Sequence, residues 1–305
     1  MKDSQKHHYV PQFLIKNFAK ANGFISIYDK IDDNRFEANP INIFVENNRN
    51  TFLSDDGKKH VIIEQMYAYL DSLIAPVLQE VKGSGNLSGE NLKLLLFFAY
   101  LMKWRVPQYD ESFKNAQDFF SVDDLGLGLK HEGSRLDIAM EPFFDTNFHQ
   151  ELKRFLLAVQ PFRFSSDFKN IYNNSFIIST DLPAILGDCP LNEAAIISDE
   201  IFEDFVFPIT PYLTLVHSKR VDKMELESFF AKGERKKVNQ FRQDFAIARD
   251  LSTMALSGRF IGYLDTNYFN NVLTGYKSAI SNSTLEGTIN CTVFNILYNF
   301  KDYLK

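Results

Sequence analysis

Leu92 to Trp104 is the stretch that most limits what this chain can fold into: nearly every residue is apolar, and Leu94–Met102 is unbroken over nine residues. A helix that is apolar on every side must be buried on every side, so a buried central helix is predicted here. Nine residues fall far short of the roughly 20 that a membrane span needs. The run closes on Trp104-Arg105-Val106-Pro107. A residue before proline is pushed out of the helical region, so the helix is predicted to stop there.

The rest of the chain divides by its periodicity. Val61–Val81 reads as a long amphipathic helix with Ile62, Met66, Tyr69, Leu70, Leu73, Ile74 and Val77 on one stripe, and Pro76 as a candidate kink. Glu64 and Asp71 lie seven residues apart, two turns along the same side of that helix. Asp110–Phe120 and Leu136–Val159 are predicted helical, with a loop over Asp123–Gly133. Phe24–Tyr28 alternates at period two and pairs back through a polar turn with Arg35–Ala38. From about residue 161 short strands take over: Phe176–Ile178, Ala184–Leu186, Ala195–Ile197, Phe205–Phe207 and Leu213–Val216. Glu225–Ser257, broken near Gly233, and Thr266–Ile280 are closing helices around one strand, Arg259–Tyr263. Segregated helices and strands predict an α+β fold: a helical N-terminal half with a small hairpin, a strand-rich C-terminal half, then closing helices. One integrated domain over residues 1–305 is expected, with an internal seam near Pro161.

Composition narrows the class. The 305 residues suffice for a real core, and 30 Phe and 13 Tyr give it aromatic bulk. A net charge of −6 provides no overall basic footprint, so a nucleic-acid partner would need a local patch. Arg235-Lys236-Lys237 is either such a patch or a solvated helix face. Cys189 and Cys291 are the only cysteines, which excludes a Cys-based zinc site and a disulfide framework. The polar opening Met1–His8 has no apolar signal core, and the cytoplasm is the expected compartment, with no membrane partner.

The N-terminal stretch His7-His8-Tyr9-Val10-Pro11-Gln12-Phe13 leads into a short helix, with Phe13, Leu14 and Phe18 pinning it to a core and the histidine pair at its entrance. Histidines there are neutral metal ligands or proton carriers, or else they bond a backbone carbonyl and lock the helix. This opening resembles DUF4238, a bacterial and fungal family of unknown function. Glu64 and Asp71 stand where the family carries an acidic pair, Asp71 replacing the more frequent Glu. Arg105-Val106-Pro107 is similar to its Arg-x-Pro segment. Phe176–Pro183, with Asp181 and Pro183, resembles its strand-to-turn segment, and Phe207–Pro211 its Pro-Leu-Ser-Pro segment.

On those residues two functional classes are expected. In the first, His7, His8, Glu64, Asp71 and Asp181 hold Mg²⁺ or Mn²⁺. His8, Glu64 and Asp181 would be the catalytic groups of a metal-dependent phosphodiesterase or nuclease-like hydrolase, and Arg105, Gln12 and Lys16 would bind the substrate, a nucleic acid or nucleotide. The family's distribution implies a role in bacterial defence. In the second, the same residues belong to a non-catalytic module that binds or senses a ligand or a protein. Glu64 and Asp71 would then be a solvated face or ion-pair partners of Arg105 or Lys16, and Asp181 a turn residue.

Overall fold

The computed structural model describes residues 6–54, 57–84, 89–116, 146–159, 169, 171–194, 204–281 and 288–304. It opens with a strand at Lys6–His8 (β1) and a helix at Gln12–Asn17 (α1). The hairpin strands Ile25–Asp29 (β2) and Asn34–Ala38 (β3) follow, then Val45–Asn47 (β4), Phe52–Leu53 (β5) and Lys59–His60 (β6). Helices occupy Ile62–Ser84 (α2), Gly89–Arg105 (α3), Asp110–Ala116 (α4) and Thr146–Val159 (α5). Ser175–Ser179 (β7), Leu186–Gly187 (β8), Asn192–Glu193 (β9), Phe205–Pro208 (β10) and Leu213–His217 (β11) come next. Lys223–Lys232 (α6), Arg235–Leu256 (α7), Phe260–Tyr263 (β12), Thr266–Ile280 (α8) and Thr292–Tyr298 (α9) close the chain.

The fold is α+β, with antiparallel strands throughout the described sheets. One sheet runs β7-β11-β10-β9 and a second β3-β2-β12-β8; β1–β4 and β5–β6 are two-stranded. Alternation along the strands explains how the first sheet separates two cores. Phe205, Phe207 and Leu215 face the large cluster that holds α3, while Phe176, Ile178, Val206 and Val216 face Phe229, Phe241 and Phe245 on α6 and α7. The second sheet does the same: Ile25 and Ile27 join the large cluster, and Tyr28 and Ile261 pack on Phe269 and Val272 of α8. Phe98 on α3 contacts Phe13 of α1 at 5.3 Å and Phe207 of β10 at 5.5 Å between ring centroids. The central apolar helix thus ties the N-terminal segment to the C-terminal sheet.

Local chemistry sets the boundaries. Asp222 and Asp265 cap α6 and α8 by accepting the backbone N–H groups of Glu225 and Tyr268. Gly233 separates α6 from α7 because a Cβ there would lie 2.4 Å from the Phe229 carbonyl oxygen. Val106 is extended at φ −84°, ψ 145°, and α3 ends at Arg105 as its pre-proline position requires.

Several expectations change. The histidine pair belongs to a strand, with His7 opposite Glu46 and His8 opposite Val45, and Pro11 is the extended residue before α1. Phe18 is fully buried with Leu14 and Ile15, but Phe13 is only half-buried. On α2, Ile74 and Val77 of the expected stripe are buried and Ile62, Met66 and Leu70 pack against the core, but Tyr69 and Leu73 are exposed, and Ile63, Tyr67, Leu78 and Val81 are buried as well. Ala184–Leu186 shrinks to β8 and pairs with β12 in the N-terminal hairpin's sheet. Ala195–Ile197, Asp123–Gly133 and Pro161 lie outside the described residues.

Candidate functional site

A buried helix that ends inside the protein leaves its last carbonyls in need of donors. At the end of α3 those donors are arginines. Arg154 of α5 donates from Nη1 to the Trp104 carbonyl at 2.9 Å, and Arg49 donates from Nε to the Arg105 carbonyl at 3.0 Å. Positive charge is also favoured at this end of a helix dipole. Arg105 itself turns back and donates from Nε to the His8 carbonyl at 3.0 Å, fixing β1 against α3.

Each guanidinium then needs a counter-charge, because all three are largely removed from water. Arg105, 2% exposed, grips Asp71 through two parallel bonds, Nη1–Oδ1 at 2.7 Å and Nη2–Oδ2 at 3.1 Å. Burial lowers the pKa of Arg105, but Asp71 outweighs it and the net shift is upward. Arg49 is held by Asp110 at 2.7 and 3.0 Å and by Glu46 at 2.8 Å. Arg154 shares Asp110 at 3.0 Å and meets Glu151 at 3.2 Å. Arg105 also lies over the Tyr67 ring, 4.4 Å from its centroid.

The histidines are absorbed into the same framework. His7 is wholly buried, and its Nδ1 accepts the Asn50 backbone N–H at 2.9 Å. Asn48, at φ 57°, makes the left-handed turn that presents Arg49 and Asn50 here. The Asn50 amide donates to Glu64 Oε2 at 2.6 Å, the oxygen that stands 4.0 Å from His7 Nδ1. His8 Nε2 donates to the Pro40 carbonyl at 3.1 Å. Burial, reinforced by nearby Arg105, lowers the His8 pKa even though the Pro40 bond opposes it, so the ring is neutral near pH 7.

His7, His8, Glu64, Asp71 and Arg105 are therefore brought into one region, held by hydrogen bonds and ion pairs among themselves and their neighbours. The ligand set expected for Mg²⁺ or Mn²⁺ is not assembled: the acceptor nitrogen of His7 is occupied by Asn50, and both oxygens of Asp71 are occupied by Arg105. Among the described residues no group of three or more His, Cys, Asp or Glu side chains is arranged to hold a metal ion. Asp181 stays out of the cluster. It is exposed in the turn after β7, beside Thr180, whose hydroxyl meets Arg249 in a separate buried network. That network holds Arg249 and Asp250 together at 2.8 and 2.9 Å and takes the Tyr268 hydroxyl at 2.7 Å. Gln12 is half-buried and Lys16 exposed on α1, and neither bonds to the cluster. Arg235 and Lys236 are exposed in the first turn of α7.

Beside the cluster is a cavity of about 160 Å³. Arg49, Arg105 and Arg154 line it together with Glu46, Asp110 and Tyr67. The Tyr67 hydroxyl is buried and has no hydrogen-bond partner among the described residues. Burial pushes its pKa up to about 12, so it is a neutral donor at physiological pH. Arg154 makes its bonds to Glu151, Trp104 and Asp110 through Nε and Nη1, and its Nη2 makes no hydrogen bond among the described residues. Sequence reasoning passed over Arg49, Asp110, Arg154 and Tyr67. Only Tyr67 left a trace, as a member of the alternative stripe Ile63, Tyr67, Ile74, Leu78 on α2.

No curated protein and no solved structure matches the chain. Among the described residues no helix is long and apolar enough to cross a membrane. Residues 6–153 match the family described as "Protein of unknown function (DUF4238)". The match takes in His7, His8, Glu64, Asp71 and Arg105 and ends before Asp181, and it is over this stretch, just under half of the chain, that the sequence is similar to DUF4238.

Proposed function

We propose that the chain is a recognition module that binds a small polar ligand in the cavity at the end of α3. The observation that carries this is the Tyr67 hydroxyl, a protonated donor buried without a partner among the described residues in a cavity lined by three guanidinium groups. A buried polar group left unpaired is costly, so a site that keeps one is suited to a ligand that satisfies it. The volume corresponds to about five water molecules at roughly 30 Å³ each. That suits a ligand, or the head group of one, with few heavy atoms. The free thiols of Cys189 and Cys291 fit a reducing compartment such as the cytoplasm.

The competing reading is the metal-dependent phosphodiesterase, favoured by the one His–carboxylate approach in the cluster, His7 with Glu64. Thermal unfolding with Mg²⁺ or Mn²⁺ on one side, and with inorganic phosphate, small carboxylic acids and amino acids on the other, separates the two. The expected result is a higher unfolding temperature with at least one organic or phosphate probe, lost in Tyr67→Phe, and indifference to either metal alone. Stabilisation by Mn²⁺ or Mg²⁺ alone that disappears in Glu64→Ala overturns the recognition reading in favour of the hydrolase.

A further inference from the structure

The charge balance around the cavity narrows the ligand further. This step rests on the recognition reading above. Three guanidinium groups, Arg49, Arg105 and Arg154, are paired with four carboxylates, Glu46, Asp71, Asp110 and Glu151. Glu64 adds a fifth carboxylate close enough to influence Arg105. The site therefore carries an excess of negative charge, although arginines dominate the cavity wall. A bare anion placed there would meet cations that are already committed and would add to the excess. A bare cation would relieve the excess but leave the Tyr67 hydroxyl and Arg154 Nη2 without an acceptor.

We infer that the ligand is zwitterionic at its bound end, pairing an oxyanion with an ammonium group in the manner of an α-amino acid. The oxyanion accepts from the Tyr67 hydroxyl and from Arg154 Nη2, two donors on cavity-lining side chains that make no hydrogen bond among the described residues. The ammonium meets Glu46, which uses only Oε2 for Arg49 and stands 44% exposed at its side chain. Both charges are then answered without breaking the Asp71–Arg105 pair or the Asp110 bridge.

Alanine and its two halves, propionate and ethylamine, test this directly, with inorganic phosphate as a further anion. Each is titrated calorimetrically into the full chain and into Glu46→Gln. Arg49 keeps both of its bonds to Asp110 in Glu46→Gln, so folding is expected to stay intact, which circular dichroism verifies. The expected result is alanine binding at least tenfold more tightly than propionate, ethylamine or phosphate, with that advantage lost in Glu46→Gln. Propionate or phosphate binding as tightly as alanine overturns the zwitterion while leaving recognition of an oxygen acceptor in place. Ethylamine binding as tightly as alanine overturns it too, and shows the cavity to be a cation site. No binding by any of the four overturns both the zwitterion and the small-ligand reading.

Discussion

Asp71→Ala isolates what holds the N-terminal segment in place. Arg105 is 2% exposed and its Nη atoms both reach Asp71, so the substitution strands a buried guanidinium. Breaking a buried pair from one side costs about 3–5 kcal/mol. Asp71 is itself 21% exposed, so water reaches part of the vacated position and the lower end, about 3 kcal/mol, is expected. Urea unfolding of the full chain reads this as a lowered midpoint at unchanged slope. Glu90→Ala is the control. Its pair with Lys93 is an i, i+3 contact exposed at 81% and 44%, and loss of such a pair costs at most about 0.5 kcal/mol. Replacing both partners of the buried pair, Asp71→Leu with Arg105→Met, should recover most of the loss, because the desolvation of both charges disappears with them. If Asp71→Ala moved the midpoint no further than Glu90→Ala, the pair would not be anchoring β1, and the account of α3's end would be wrong.

Two further outcomes follow from other parts of the fold. His217 is fully buried; its Nδ1 donates to Ser175 Oγ at 3.0 Å while Nε2 has no partner among the described residues. Burial lowers its pKa to about 4, with Asp204 opposing and Lys219 assisting. The unfolded chain therefore takes up the proton first, so His217's contribution is complete above about pH 6.5 and is lost as pH falls towards about 4, some 2–3 kcal/mol by pH 4.5; urea unfolding at pH 7 and 4.5 should show that extra loss in the wild type and not in His217→Phe. Phe98 touches Phe13 on one side and Phe207 on the other, which supports one integrated domain: limited proteolysis should yield no stable, separately folded halves, and recovery of two such halves cut near residue 161 would refute it.

What the sequence revealed depended on how local the cause was. The central helix and its end at Arg105 were legible because apolar content and the Val106-Pro107 step act within a few residues. Glu64 and Asp71 were legible as neighbours because helical spacing alone puts them on one side of α2. The ion pair of Asp71 with Arg105, and the backbone-bonded histidine, were present as the less reactive alternatives. Arg49 and Arg154 were not legible. Their partners lie 56 and 50 residues away at the Arg105 and Trp104 carbonyls, and nothing local distinguishes them from solvated arginines. The stripe on α2 missed only at Tyr69 and Leu73, because the packing of α5 through Phe155 against Tyr67 turns the buried face toward Ile63 and Tyr67. Asp181 fits a turn, and the chain gives it no role in the cluster.

The cavity can be traced to one requirement. An apolar helix stopped by a proline cannot let its final carbonyls reach bulk water when its C-terminal turns are packed in the core, so arginines are brought in from β4's following turn and from α5. Those arginines must in turn be neutralised where they are buried, which recruits Asp110, Glu46 and Glu151 and repeats the pattern for Arg105 with Asp71. Stability alone does not favour this solution, since well-packed apolar residues commonly match or exceed a buried ion pair. What the ion pairs supply is a rigid array of charges whose positions are fixed by backbone carbonyls. In such an array, Tyr67 stacked beneath Arg105 has little freedom to find another partner for its hydroxyl, and a ligand oxygen meets a donor already in place. Within the stretch that matches DUF4238, His7, His8 and Asp71 thus stand behind the cavity wall and hold it, Arg105 forms part of that wall, and Tyr67, Arg154 and Glu46 are the groups that the proposed ligand would touch.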